Sequence, residues 1–103
     1  MIFVQTMSFT CGDEDALIAL FDVWEAETVE AMGFWQSVIM KDMDRPDGYT
    51  VWVQFSSYEE AMRNSARPET DANARKLRDL VGDIEYRNYD LIGGAASVIG
   101  PGR

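Results

Sequence analysis

Between Tyr49 and Ser56 the chain alternates in two phases, Tyr49, Val51, Val53 and Phe55 against Thr50, Trp52, Gln54 and Ser56. A period of two is that of a strand, whose successive side chains point to opposite faces. Ser57 stands three residues before Glu60, a capping-box spacing that starts a helix directly after the strand. In that short helix Tyr58, Ala61, Met62 and Ser65 are expected to share one face. Arg67-Pro68 breaks the run, and Pro68 suits the first position of a new helix, where its missing N–H costs little. Ala74, Leu77 and Val81 form the stripe of this second segment, with Gly82 expected as its C-terminal cap.

The first half repeats the plan. Ile2 to Phe9 alternates and is rich in β-branched and aromatic residues, as a strand requires. Asp13 is the expected N-cap of a helix whose apolar stripe, Leu17, Leu20, Phe21 and Trp24, reaches about Val29. Gly33 ends that section and Phe34 to Met43 returns to strand character. Asp44-Arg45-Pro46-Asp47-Gly48 reads as a hairpin turn, and Ile84 to Ile92 as the last strand. The tail from Gly93 to Arg103, with four glycines and a proline, is expected to be extended or mobile.

The order β-α-β-β-α-β predicts an α+β, ferredoxin-like domain over residues 1–92. It is a four-stranded antiparallel sheet with both helices, the second one broken, on a single face. On the first and third strands both phases carry large apolar groups: Ile2 and Val4 against Phe3 and Met7, Trp52 against Val51 and Val53. A sheet with one wet face alternates more cleanly. The second face is therefore expected to be buried against another subunit, which makes a homodimer the expected state.

Composition narrows the chemistry. With 103 residues, 47% of them hydrophobic, the chain is long enough for one modest core. No apolar run approaches the roughly 20 residues that cross a bilayer. Met1 to Val4 lacks the basic and long apolar regions of a signal peptide. A single cysteine, Cys11, permits no intrachain disulfide and suits a reducing cytoplasm. Histidine is absent, which removes the usual general base and the usual haem and zinc ligand. Asp42, Asp44 and Asp47 flank a turn but lack the terminal Glu of a calcium loop, so no metal site is expected. The net charge of −9 argues against nucleic acid and anionic membranes as partners.

The segment Ala31-Met32-Gly33-Phe34-Trp35-Gln36-Ser37, the charged turn Asp42 to Gly48 and the run Gln54-Phe55-Ser56-Ser57-Tyr58-Glu59-Glu60-Ala61 come together with the break Asn64-Ser65-Ala66-Arg67-Pro68-Glu69-Thr70. In these the chain resembles the antibiotic-biosynthesis-monooxygenase-like domains of the dimeric α/β-barrel superfamily, over roughly residues 1–92. The resemblance implies two sheets facing each other across a dimer, with ligands lying between each sheet and its helices. It also implies cofactor-free oxygenation of aromatic polyketides or quinols, or haem degradation. The haem-degrading branch uses an Asn, a Trp and a His. This chain has no His and has Asn64 where that Trp falls. The Trp and Tyr of the polyketide branch read here as Phe55 and Ala61. Neither catalytic set carries over, so no catalytic residue is assigned.

Trp24, Trp35, Trp52, Tyr49, Tyr58, Tyr86 and Phe55, with Met7, Met40 and Met62, suit a flat apolar cleft for an aromatic ligand, and equally a core or dimer interface. Asn73, four residues before Leu77, lies on or beside a buried stripe, where an uncompensated amide costs about 1–3 kcal/mol. It therefore needs a backbone or ligand partner. Asn64 ends the short helix, so termination and a cleft-facing role are both open to it. Arg75, Lys76 and Arg78 complement the helix dipole, whereas Arg67, at the break, stands apart from them. Glu25, Glu27 and Glu30 crowd the negative end of the first helix, a mildly unfavourable arrangement, and pairing with bases of the second helix or another subunit and a plain contribution to solubility are both open to them. Asn73, Asn64, Arg67, Tyr58 and Trp52 are thus the expected ligand-lining residues, with no cofactor. Two functions remain open: a cofactor-independent monooxygenase of an aromatic or quinol-type metabolite, and a non-catalytic small-molecule-binding or accessory dimerisation domain.

Overall fold

The computed structural model describes residues 1–32 and 36–94. Its elements follow the order β1 (Phe3–Thr10), α1 (Glu14–Met32), β2 (Gln36–Lys41), β3 (Gly48–Phe55), α2 (Tyr58–Ser65), α3 (Pro68–Leu80) and β4 (Glu85–Asp90). The strands form one sheet in the order β2-β3-β1-β4, every neighbouring pair antiparallel. This is the ferredoxin-like α+β arrangement. The expectations for Gly33, Phe34 and Trp35, and for the tail beyond Gly94, fall outside the described residues.

Register decides which residues meet the helices. Met7 lies opposite Val51 on one side and Tyr86 on the other, and Phe9 opposite Tyr49. Ile39 lies opposite Val51. This phase of the sheet carries the core, in which Met7, Phe9, Tyr49, Val51 and Val53 pack with Leu17, Phe21 and Trp24 of α1 and Leu77 of α3. Leu17 and Val51 are fully buried, and each such side chain contributes about 1.5–3 kcal/mol over an exposed one. The opposite phase, with Val4, Thr6 and Trp52, faces away from the helices.

Each helix starts where its cap allows. Asp13 Oδ1 accepts from the Ala16 N–H at 3.0 Å. The Ser57 hydroxyl oxygen accepts from the Glu60 N–H at 3.1 Å, so α2 follows β3 after only two residues. Pro68 is the first residue of α3. The β2–β3 turn closes with Asp47 at φ 59°, a left-handed conformation that Asp tolerates better than most residues, and with the Gly48 N–H donating to Arg45 O at 3.1 Å.

Two local expectations are corrected. The short helix buries Ala61 and Asn64, while Tyr58, Met62 and Ser65 are exposed. The small Ala61 side chain lets α2 sit close on the sheet, and the position three residues on turns inward with it. Gly82 is not the cap of α3, since Val81 holds that position in extended conformation. The Gly82 N–H instead donates to Thr10 O at 2.9 Å, and a Cβ there would come within 2.7 Å of Thr10 Oγ1. Glycine serves close approach at that point.

Replacing the α2 cap, Ser57→Ala, should cost about 1 kcal/mol of stability, read as a lower urea midpoint at unchanged slope.

Candidate functional site

A cavity of about 220 Å³ opens between the helix-side face of the sheet and the helices. Phe3, Met7 and Phe55 form its apolar floor, Trp24 reaches it from α1, Asn64 from α2 and Thr70 from α3. The floor follows from strand alternation, which sets Phe3 opposite Phe55 on the phase that meets the helices. Tyr58 packs edge-on against Phe3 from outside, with ring centroids 5.5 Å apart.

The polar end of the cavity is set by one amide. Asn64 Oδ1 accepts from Arg67 Nη1 at 3.0 Å and from the Thr70 hydroxyl at 3.2 Å. A guanidinium can only donate, so the oxygen must face these partners. That leaves the Asn64 NH2 group on the other side of the amide, and the residue is 3% exposed. Arg67 also donates through Nη2 to the Glu27 carbonyl at 3.3 Å, and the same nitrogen lies 3.8 Å from a Glu69 carboxylate oxygen. Asn73, 2% exposed, donates to Glu27 Oε2 at 3.2 Å. Its partner is thus a carboxylate of α1, neither a backbone group nor a ligand. Glu27 is in turn the acid among the three at the end of α1 that α3 compensates.

On the other wall, Trp24 is 6% exposed and its indole ring stacks on Phe21 with centroids 5.2 Å apart. Its carbonyl accepts from the buried Thr28 hydroxyl at 2.8 Å. Among the described residues the buried indole Nε1–H has no acceptor, a shortfall that costs about 1–3 kcal/mol. Asp71, at the rim, is paired with Arg75 at 2.8 Å. Among the described residues no three His, Cys, Asp or Glu side chains stand close enough to share a metal ion.

Of the five residues singled out in the sequence, only Asn64 lines this cavity. Arg67 and Asn73 stand directly behind it, holding the amide and joining α3 to α1. Tyr58 is 54% exposed and lies outside the lining. Trp52 is on the opposite sheet face because Val51 and Val53 take the inward phase. There it joins Val4, Thr6, Tyr89, Leu91 and Ile92 around an open apolar hollow of about 480 Å³. Of the aromatic and methionine residues that the sequence offered for a cleft or a core, Trp24, Phe55, Tyr86, Met7 and Met62 line this cavity.

A second polar cluster lies at the other end of the core. Tyr49 donates to Glu14 Oε1 at 3.0 Å and the Lys41 ammonium sits 3.0 Å from the same oxygen. Lys41 and Tyr49 together hold the Glu14 carboxyl below its ordinary range, while burial and the Glu14 bond push the Tyr49 hydroxyl up. These groups satisfy one another and pin the start of α1 to the β2–β3 hairpin.

No family model matches the chain, and no curated protein sequence does. Solved structures do. SnoaB, a cofactor-independent oxygenase from Streptomyces nogalater, solved as an asparagine-to-alanine variant, superposes with a TM-score of 0.80 at 18% identity, over 92% of this chain and 97% of that one. A candidate antibiotic biosynthesis monooxygenase from Chloroflexus aurantiacus gives 0.72 at 21% identity, over 97% and 100%. A dimeric protein of unknown function from Bacteroides fragilis, with a ferredoxin-like fold, gives 0.60 at 13%, over 87% and 96%. The chain therefore has the fold of the antibiotic-biosynthesis-monooxygenase-like proteins.

Arg67→Ala should leave the Asn64 oxygen and the Glu27 carbonyl each short of a donor. A loss of about 1–3 kcal/mol is expected in chemical denaturation, larger than for an exposed arginine such as Arg78.

Proposed function

We propose that the cavity binds a small aromatic or quinol-type molecule and that the protein oxygenates it without a cofactor. The observation that carries this reading is the oriented Asn64 amide in the wall of a cleft floored by Phe3, Met7 and Phe55. Its oxygen is occupied by Arg67 and Thr70, so it offers a substrate only N–H donors. Donors fixed in an apolar pocket favour the anionic form of a phenol or enol, and they do so without reorganising during the reaction. Such an anion is itself the reductant for oxygen. In a monooxygenation of an activated CH2 group, both C–H bonds are lost, one oxygen atom becomes the carbonyl and the other leaves as water. The chain contributes orientation, charge stabilisation and exclusion of water. That SnoaB is a cofactor-independent oxygenase of this fold supports the reading.

We also infer a homodimer through the sheet face away from the helices. Trp52, Tyr89 and Ile92 surround an apolar hollow there, with Ile92 90% exposed. An apolar surface of this kind marks an interaction site. That the Bacteroides fragilis protein is a dimer is consistent with it.

Asn64→Asp keeps an acceptor oxygen for Arg67 and Thr70 and removes the donor. Oxygen uptake with dihydroxyaromatic substrates should fall about 100-fold with the melting temperature little changed. Uptake unaffected by the substitution would sink the assignment of Asn64, and a binding-only domain would bind such compounds with no uptake in the unmodified protein. Trp52→Glu should convert a dimer to a monomer in size-exclusion chromatography with light scattering. A monomeric unmodified protein would refute the interface.

A further inference from the structure

Tyr86 lines the cavity, yet it is 49% exposed. Strand pairing fixes its direction. It stands directly opposite Met7 of the cavity floor, and residues so paired in a sheet share a face. β4 is an edge strand with all six residues exposed, and the other positions on that face are the polar Asn88 and Asp90, opposite Gln5 and Phe3. Asn88 accepts there from Gln5 Nε2 at 3.0 Å. Among the described residues no other aromatic ring packs on Tyr86. Its strand propensity suits β4, but a threonine would serve an exposed strand position as well without setting a large ring in water beside the cavity.

We propose that Tyr86 is a specificity-determining residue: its ring packs against the ligand at the mouth of the cavity, and the site thereby prefers flat aromatic rings to saturated rings of the same skeleton. This rests on the cleft being the ligand site. The floor of Phe3, Met7 and Phe55 offers apolar contact to either kind of ring. An aromatic neighbour adds to that contact, beyond the area it buries, when its partner is also a flat π-system. Tyrosine has few rotatable bonds to fix, so its ring loses little freedom when a ligand settles on it. Tyr89 is its natural control. It is 48% exposed on the same strand, and strand alternation sends it to the opposite face, beside Trp52. The two tyrosines differ in the face they occupy, and of the two Tyr86 meets the cavity.

The test uses two probes, 2-naphthol and trans-2-decalol, which share a fused ring skeleton and a hydroxyl and differ in aromaticity. Titrations of the full chain are followed by NMR of the methionine methyl groups. Met7 and Met62 report on the cavity and Met43, 98% exposed, on the outer surface. Naphthol should shift Met7 and give intermolecular NOEs to the Tyr86 ring. Tyr86→Leu should weaken naphthol about threefold to tenfold and decalol less than about twofold. Tyr86→Phe should keep naphthol within about twofold, and Tyr89→Leu should change neither probe. Equal weakening of both probes by Tyr86→Leu would mean that the ring only fills space, and an equal effect of Tyr89→Leu would trace the loss to β4 itself. Either result overturns the proposal, as does naphthol binding that Tyr86→Leu leaves unchanged. A shifted Met7 with no NOE to Tyr86 at naphthol saturation would overturn the contact even if the variants failed to fold. If the unmodified protein bound neither probe, or bound them with Met7 and Met62 unmoved, the cleft would fall as the ligand site and this inference with it.

Discussion

The Arg67 guanidinium is the group on which the helical layer turns. It sits where the chain breaks between α2 and α3, at a backbone position with no side-chain cap of its own. From there it reaches the Asn64 oxygen and the Glu27 carbonyl and approaches the Glu69 carboxylate. Five donors in a rigid planar fork can serve several acceptors at once, and a lysine could not do so with the same geometry. The helix break, the seat of α3 against α1 and the orientation of the cleft amide are in this way one arrangement. Glu27 is common to two of its parts, receiving Arg67 at its carbonyl and Asn73 at its carboxylate. The acid that looked misplaced at the negative end of α1 is there to be paired.

The fold was legible because it rests on periodicity and on caps, both written locally. The Tyr49–Phe55 alternation, the Ser57–Glu60 spacing and Pro68 each specify a piece of backbone without reference to the rest of the chain. The site was legible only in part. Asn64, Arg67 and Asn73 stood out as polar residues beside apolar stripes, and they do form one network. Sequence gave no means of telling which of the three meets the cavity, since that depends on how deeply α2 sits on the sheet. Trp52 was drawn toward the ligand by its chemistry alone, yet the phase of β3 sends it to the other face. Trp24 read equally as a stripe residue and as a cleft aromatic, and its unmet donor emerges only when the acceptors among the described residues are known.

The two polar clusters divide the labour along the core. Glu14, Lys41 and Tyr49 bond to one another through a single Glu14 oxygen. Around Asn64 the acceptors are used and the donors are not. A buried donor left free in a cleft is selective in itself, because it penalises any occupant that brings no matching oxygen.

Sheet order has a consequence for how the protein is made. β1 is a central strand, yet both of its neighbours come later in the chain: Phe3 pairs with Phe55 and with Asp90. The link between Gln5 and Asn88 spans 83 positions. Contacts so distant in sequence close slowly and late. During synthesis β3 can cover one edge of β1 early, while the edge from Phe3 to Ser8 must wait until β4 has left the ribosome. The nascent chain thus passes through an interval in which its future central strand is an edge strand.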